Sequence, residues 1–167
     1  RTLSLNHLVR EGAVDVAHAI DLDVVTSCAD AIAAHARVLV IPWIPHVGMK
    51  PGPEDLATWV TRVPALRRLD DEGRILWYDL RTARTQRGGF PIVQAQYFSA
   101  EAALSLLALA GARVVRSLGV DGGTAYSKAF DDIAPTTRLA NRHATFDLQF
   151  RVIARTIMAT RVDYAPL

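Results

Sequence analysis

Val38-Leu39-Val40-Ile41 is a run of four apolar residues, three of them β-branched, stopped by Pro42 and again by Pro45. β-Branched side chains are stiff at χ1 and pack well on a pleated surface, so the run predicts a strand. Its hydrophobicity is continuous rather than alternating, which suits a strand covered on both faces, as in a parallel sheet. Two similar runs bracket it: Val16-Ala17-His18-Ala19-Ile20, ending in acid at Asp21, and Ile75-Leu76-Trp77-Tyr78.

Helical patterns fill the intervals. Cys28 to Ala36 is Ala-rich. Pro51-Gly52-Pro53 reads as a turn, and Pro53 followed by Glu54 and Asp55 is a favourable helix start, after which Leu56, Trp59, Val60 and Val63 keep helical spacing. Pro64 opens another short helical turn that Gly73 ends. A polar loop through Arg87-Gly88-Gly89 leads to Ser99, a candidate N-cap, with Glu101 in the first turn and Gly111 just past the end. The helix between, with Ala103, Leu104, Leu106, Leu107 and Ala110, is apolar nearly all round and is expected to be buried. Val114 to Val120 predicts another strand, broken by Asp121-Gly122-Gly123. Thr145 is expected to cap a last long helix on which Phe146, Phe150, Ile153 and Ile157 share a face and Asp147 pairs with Arg151; Val162-Asp163-Tyr164 closes the pattern as a short strand. Alternating strands and crossover-length helices predict an α/β protein with a parallel sheet and helices on its faces, one domain over residues 1–167.

Composition bounds the function. Half of the 167 residues are hydrophobic and 22% are charged, so the chain is globular rather than disordered. Cys28 is alone and cannot form an internal disulfide, no apolar run approaches the roughly 18 residues of a membrane span, and no signal peptide opens the chain, so a cytoplasmic location is expected. Only Lys50 and Lys128 of the nineteen basic residues are Lys. Arg forks suit carboxylate and phosphate, although GC-rich codon usage gives the same bias. The Arg residues form no stripe, which argues against a nucleic-acid partner. Composition does not fix the oligomeric state, and a homo-oligomer is left open. The chain begins at Arg1 rather than Met and runs almost at once into patterned sequence, as expected of a piece of a longer protein lacking an N-terminal portion.

Ligands of open α/β sheets sit beyond the carboxyl ends of the strands. That rule selects Asp21 and Asp23, Pro42 to His46, Asp79 to Thr82, Ser99, and Asp121 to Tyr126. The strongest local signal is Leu118-Gly119-Val120-Asp121-Gly122-Gly123-Thr124-Ala125-Tyr126, where three glycines near an acid allow close backbone approach to a ligand or simply a tight turn. Ser99 offers the N–H groups of a helix start to an anion, or merely a cap. Asp21-Leu22-Asp23 is a D-x-D pattern able to clamp Mg²⁺ or Mn²⁺, or only a strand end. Among the five histidines, His18 reads as a satisfied core residue, His35 as a cation late in a helix and His46 as a residue past a strand end within reach of a ligand. His143 precedes the last helix and is a candidate general base, while His7 carries no signal. The chain has no Walker motif, G-x-G-x-x-G, nucleophile elbow or zinc spacing.

Three segments together resemble the bacterial sialyltransferase-like family, which groups with motility-associated glycosyl-transfer and hydroxymethylpterin pyrophosphokinase-like proteins. They are Ser99 to Leu104 running through Gly111 to Asp121; Ser4-Leu5-Asn6 followed by Asp15 to Asp21; and Arg142-His143 leading into Phe146-Asp147. The resemblance implies a Rossmann-like three-layer nucleotide-binding domain and metal-independent transfer from a nucleotide sugar to a glycan or glycolipid acceptor. It assigns Asn6, Ser99, Gly119, Asp121, Gly122 and Gly123 to the nucleotide, His143 to the role of base and Tyr126 to steadying the leaving phosphate. Such proteins carry a strand and a Gly-rich loop ahead of the Asn; the sequence shows no such pattern ahead of Asn6, so either the domain lacks its first strand and loop or it does not bind nucleotide in that way. Two other functions fit the residues: a metal-dependent D-x-D transferase or phosphoryl-transfer enzyme using Asp21 and Asp23, and a non-catalytic binding or scaffold domain.

Overall fold

The Val38–Ile41 run lies within β3 (Ala36–Pro42), the middle strand of a five-stranded sheet. Its neighbours are β1 (Leu3–Leu5) and β2 (Val14–His18) on one side and β6 (Ile75–Leu80) and β7 (Ile92–Val93) on the other, with β4 (His46–Val47) and β5 (Lys50–Pro51) forming a separate small hairpin. All neighbouring pairs in the sheet are parallel, and the order β1-β2-β3-β6-β7 follows the chain. The computed structural model describes residues 1–48, 50–96, 98–120, 128–130, 132 and 148–167, which fall into two units, 1–103 and 104–167. The architecture is mixed α/β, a curled all-parallel sheet flanked by helices, consistent with a Rossmann-like three-layer fold.

In the first unit, a 3₁₀ segment (Asn6–Glu11) follows β1, α1 (Leu22–Ser27) and α2 (Ala29–His35) join β2 to β3, and α3 (Leu56–Arg62) and α4 (Pro64–Asp71) lie between β3 and β6. Each crossover advances one strand in the same direction, and right-handed crossovers then place these helices on one face. The burial agrees: Val9, Val25, Ile32, Leu56, Leu66 and Leu69 join Ala17, Leu39 and Ile41 of the sheet in a single apolar cluster. Residues of opposite pleat, among them Val16, His18, Val40 and Tyr78, face the other way by register.

Local chemistry explains the helix ends. Asp55 caps α3, its Oδ1 accepting from the Thr58 backbone N–H at 2.9 Å and from the Thr58 hydroxyl at 3.0 Å. Pro64 begins α4 with its φ already set for a helix, and Gly73 follows in a left-handed conformation at φ 67°. Arg74 ties the start of β6 to its neighbours, donating to the carbonyls of Arg37 at 3.0 Å and Ala36 at 2.5 Å and to Glu72 at 2.6 Å.

α5 (Ser99–Leu109) runs out of the first unit. Ala100 and Ala102 to Leu104 are buried, but Leu109 is exposed, so the expectation of a wholly buried helix holds only for its first half. The second unit contains β8 (Val114–Ser117) and β9 (Asp163–Pro166), paired in parallel, with α6 (Leu148–Thr160) between them in sequence. Arg116 grips Asp163 at 3.3 and 3.2 Å and also donates to its carbonyl at 3.0 Å. The strand predicted over Val114–Val120 ends at Ser117.

The buried stripe of α6 is Val152, Ile153 and Thr156, whereas Phe150 is exposed and Ile157 half-buried; the stripe expected through Phe150 is rotated. Thr156 can face inward because its hydroxyl donates to the Val152 carbonyl at 2.9 Å, satisfying itself within the helix. Thr145, Phe146 and Asp147, expected at the start of this helix, lie outside the described residues.

Candidate functional site at the carboxyl edge of the sheet

The end of β1 meets the start of α5. Asn6 follows β1 at φ 52°, a left-handed conformation that Asn tolerates better than most residues, which turns the chain sharply out of the sheet. Ser99 was expected to cap its own helix. Instead the backbone N–H groups of Glu101 and Ala102 both bond to the Phe98 carbonyl, so the helix begins at Ser99 and the hydroxyl is released for another partner. That partner is Asn6: Ser99 Oγ donates to Asn6 Oδ1 at 2.7 Å, across 93 residues of sequence. Glu101, buried, accepts from the Gln96 backbone N–H at 2.7 Å and fixes the approach to the helix.

Next along the same edge is a buried polar cluster. His18 ends β2 and Tyr78 lies in β6; their rings stack with centroids 5.8 Å apart, and His18 Nε2 is 2.9 Å from the Tyr78 hydroxyl. The pair reaches across β3, on which Val40 and Pro42 are their register partners. Asp21 precedes α1 and forms a parallel bridge with His46, whose backbone N–H donates to the Ile20 carbonyl at 2.7 Å. His18 and His46 are both fully buried, and His18 Nδ1 and both ring nitrogens of His46 have no hydrogen-bond partner.

Burial sets the protonation of this cluster. It pushes His18 down to about 3 and His46 down to about 4, so both rings are neutral at physiological pH. It pushes Asp21 up to about 7, with the nearby charge of Asp23 adding to the effect. Tyr78 is held well above the usual phenol value by burial and then by the charge of Asp21.

A third feature flanks the cluster. Asp79, buried, accepts from the backbone N–H groups of Arg87 and Gly88, each at 3.3 Å, and so pins the following loop to the end of β6. Gly88 and Gly89 adopt φ 78° and 80°, which explains the paired glycines. The Arg87 guanidinium sits 4.3 Å from the centroid of Trp43, and Trp43 contacts Trp77 edge-on at 5.3 Å.

The structure thus brings together Asn6 and Ser99, two of the residues that the resemblance assigns to the nucleotide. Gly119 lies beyond β8 in the second unit at φ 69°. Asp121, Gly122, Gly123, Tyr126 and His143 lie outside the described residues. Asp21 and Asp23 flank the start of α1, but among the described residues no three His, Cys, Asp or Glu side chains gather into a metal-binding group. His35 bonds to the Val9 carbonyl at 2.9 Å and serves the fold.

The sequence reading missed the His18–Tyr78 pair. His18 was expected to be a satisfied core histidine, yet only one of its nitrogens is bonded. A contact between strands separated by a third leaves no local pattern.

These features define an α/β protein with a polar site along the carboxyl edge of a parallel sheet. No family model, curated protein or solved structure matches the chain. No described helix is long and apolar enough to cross a membrane.

Proposed function

We propose that the carboxyl edge binds a nucleotide sugar and that the chain is a glycosyltransferase-like domain, passing the sugar to a hydroxyl of a glycan or glycolipid by metal-independent general-base catalysis. The observation that carries this reading is the 2.7 Å bond between Ser99 and Asn6, which joins two of the six residues assigned to the nucleotide. That junction stands at the amino end of an 11-residue helix, whose N–H groups and dipole favour a phosphate. In this reading His143 has the role of base toward the acceptor hydroxyl, Asp121, Gly122 and Gly123 are assigned to the nucleotide, and Tyr126 to the departing phosphate.

The test is a thermal shift with CMP, UDP and GDP, each with and without Mg²⁺ or Mn²⁺. At a hundred times Kd a ligand adds about 2.7 kcal/mol, which raises Tm by roughly 5–10 °C for a chain of this size. Stabilisation by one nucleotide without metal, much reduced in Ser99→Ala, supports the reading. Stabilisation only with metal overturns the metal-independent mechanism, and no stabilisation at all favours a binding or scaffold domain for other ligands.

A further inference from the structure

From Arg81 to Ala100 the chain carries three arginines, Arg81, Arg84 and Arg87, and no acidic residue. All three lie on the loop that leaves the carboxyl end of β6 and returns to β7. Backbone bonds tie this loop down. The Arg81 N–H donates to the Val93 carbonyl at 2.9 Å, and buried Ala83 donates to the Leu80 carbonyl at 3.0 Å. The Asp79 carboxylate takes the N–H groups of Arg87 and Gly88, so its charge is spent on the backbone beneath the loop. The arginines are left outside, all exposed.

Arg87 differs from the other two because it is exposed and yet held. Its guanidinium lies 4.3 Å from the centroid of Trp43 and 5.6 Å from that of Phe90, and those two rings are 6.1 Å apart. Trp43 is fixed in turn by its edge-on contact with Trp77 at 5.3 Å and by its backbone N–H, which donates to the Tyr78 carbonyl at 2.7 Å. Stacking uses the flat face of a guanidinium and leaves its edge, where the N–H donors lie, for a partner in the same plane. Among the described residues no ion pair or side-chain hydrogen bond takes up that edge. A side chain ordered before its partner arrives loses little further freedom on binding.

We propose that Arg87, laid on the Trp43–Phe90 platform, is an oxyanion-binding residue that takes a phosphate or carboxylate group of a ligand through its planar edge. Both groups present two oxygens to the guanidinium fork, and the acid-free, arginine-bearing loop favours a negative partner. The site faces the carboxyl edge of the sheet, where parallel sheets receive their ligands. It is separate from the Asn6–Ser99 junction: β6 stands three strand spacings from β1, about 14 Å. It therefore holds whether or not a nucleotide binds at that junction.

The experiment is an NMR titration of the uniformly ¹⁵N-labelled full chain with inorganic phosphate and, separately, with malonate, at constant ionic strength. It follows the arginine Nε–Hε resonances and the amides of Gly88 and Gly89. The Arg87 resonance is the one lost in Arg87→Lys. The expected result is a saturable shift of that resonance, larger than that of any other arginine, with a Kd on the order of 1 mM. Arg87→Ala and Arg87→Lys, read through the two glycine amides, weaken binding by about tenfold or more, the lysine variant because it keeps the charge but loses the fork. Tighter binding of phosphate identifies a phosphate-bearing ligand, and tighter binding of malonate a carboxylate-bearing one; either supports the site. Shifts spread evenly over the arginines, affinity unchanged in Arg87→Lys, or no saturation by either anion at tens of millimolar overturns it. None of these results bears on nucleotide binding at Asn6 and Ser99, so the two proposals fail separately.

Discussion

Replacing Tyr78 by Phe deletes one oxygen atom from a place that water does not reach, since Tyr78 and His18 are both 0% exposed. The hydroxyl is bonded to His18 Nε2 at 2.9 Å, and Nδ1 of the same ring already lacks a partner. The substitution therefore leaves both nitrogens of a buried imidazole without a hydrogen bond. A net hydrogen bond is worth about 0.5–1.5 kcal/mol, and a buried polar atom stripped of its partner costs about 1–3 kcal/mol, so Tyr78→Phe should destabilise by about 2–3 kcal/mol. His18→Leu should cost a similar amount, because it strands the Tyr78 hydroxyl in turn. Removing both partners strands nothing, and the double variant should fall short of the sum of the singles by about 1–2 kcal/mol. All three tryptophans (Trp43, Trp59 and Trp77) belong to the first unit, so their fluorescence during urea unfolding reports on this region. With a slope of about 2 kcal/mol/M, each single substitution lowers the urea midpoint by about 1 M. A Tyr78→Phe protein within about 0.5 kcal/mol of wild type, or additivity within that margin, would refute the reasoning.

Other consequences follow from the same geometry. His18 and His46 take up protons in the unfolded chain near pH 6.5 but in the folded chain only near 3 and 4. Their contribution is intact above pH 6.5 and is lost as pH falls toward 4; urea titrations should record that decline, and His18→Leu should make it shallower. Asp21 carries the opposite sign, since between 3.8 and about 7 the folded state holds a proton that the unfolded state has released. Asp21→Asn should therefore match wild type at pH 4 and exceed it by on the order of 1–3 kcal/mol at pH 8, again measured in urea. Asp55→Ala removes the cap of α3 and should cost about 1 kcal/mol, lowering Tm by about 2–4 °C, while Asp55→Ser retains most of the stability. Arg87→Ala uncovers a face of Trp43 and should red-shift the emission while costing no more than about 1 kcal/mol.

The helical face of the fold was legible because its signals are local. The run at Val38–Ile41 and the stop at Gly73 each act within a few residues, and the structure uses them as read; the start read at Pro53 to Asp55 moves to Leu56, with Asp55 as the cap. β1 and β7, of three and two residues, are too short to show a period, and α1 is a six-residue helix hidden behind the D-x-D pattern. At the site, the contact between Asn6 and Ser99 was not legible, since 93 residues separate them and neither is unusual in its own segment; the family resemblance only assigned both to the nucleotide. The His18–Tyr78 pair was illegible because its partners sit on strands with β3 between them, so only the register aligns them. The upward shift of Asp21 was equally hidden: an acid at a strand end reads as exposed, and its partial burial comes from the fold.

The most direct test of the central claim is an amide NMR titration of the isotopically labelled chain with CMP, UDP and GDP in the absence of divalent metal. The account predicts that at least one nucleotide shifts the resonances of Asn6, Ser99 and the first turn of α5, together with those of Asp21 and His46. Shifts confined to residues remote from the carboxyl ends of β1 and β2, or no shifts at millimolar nucleotide, would contradict it.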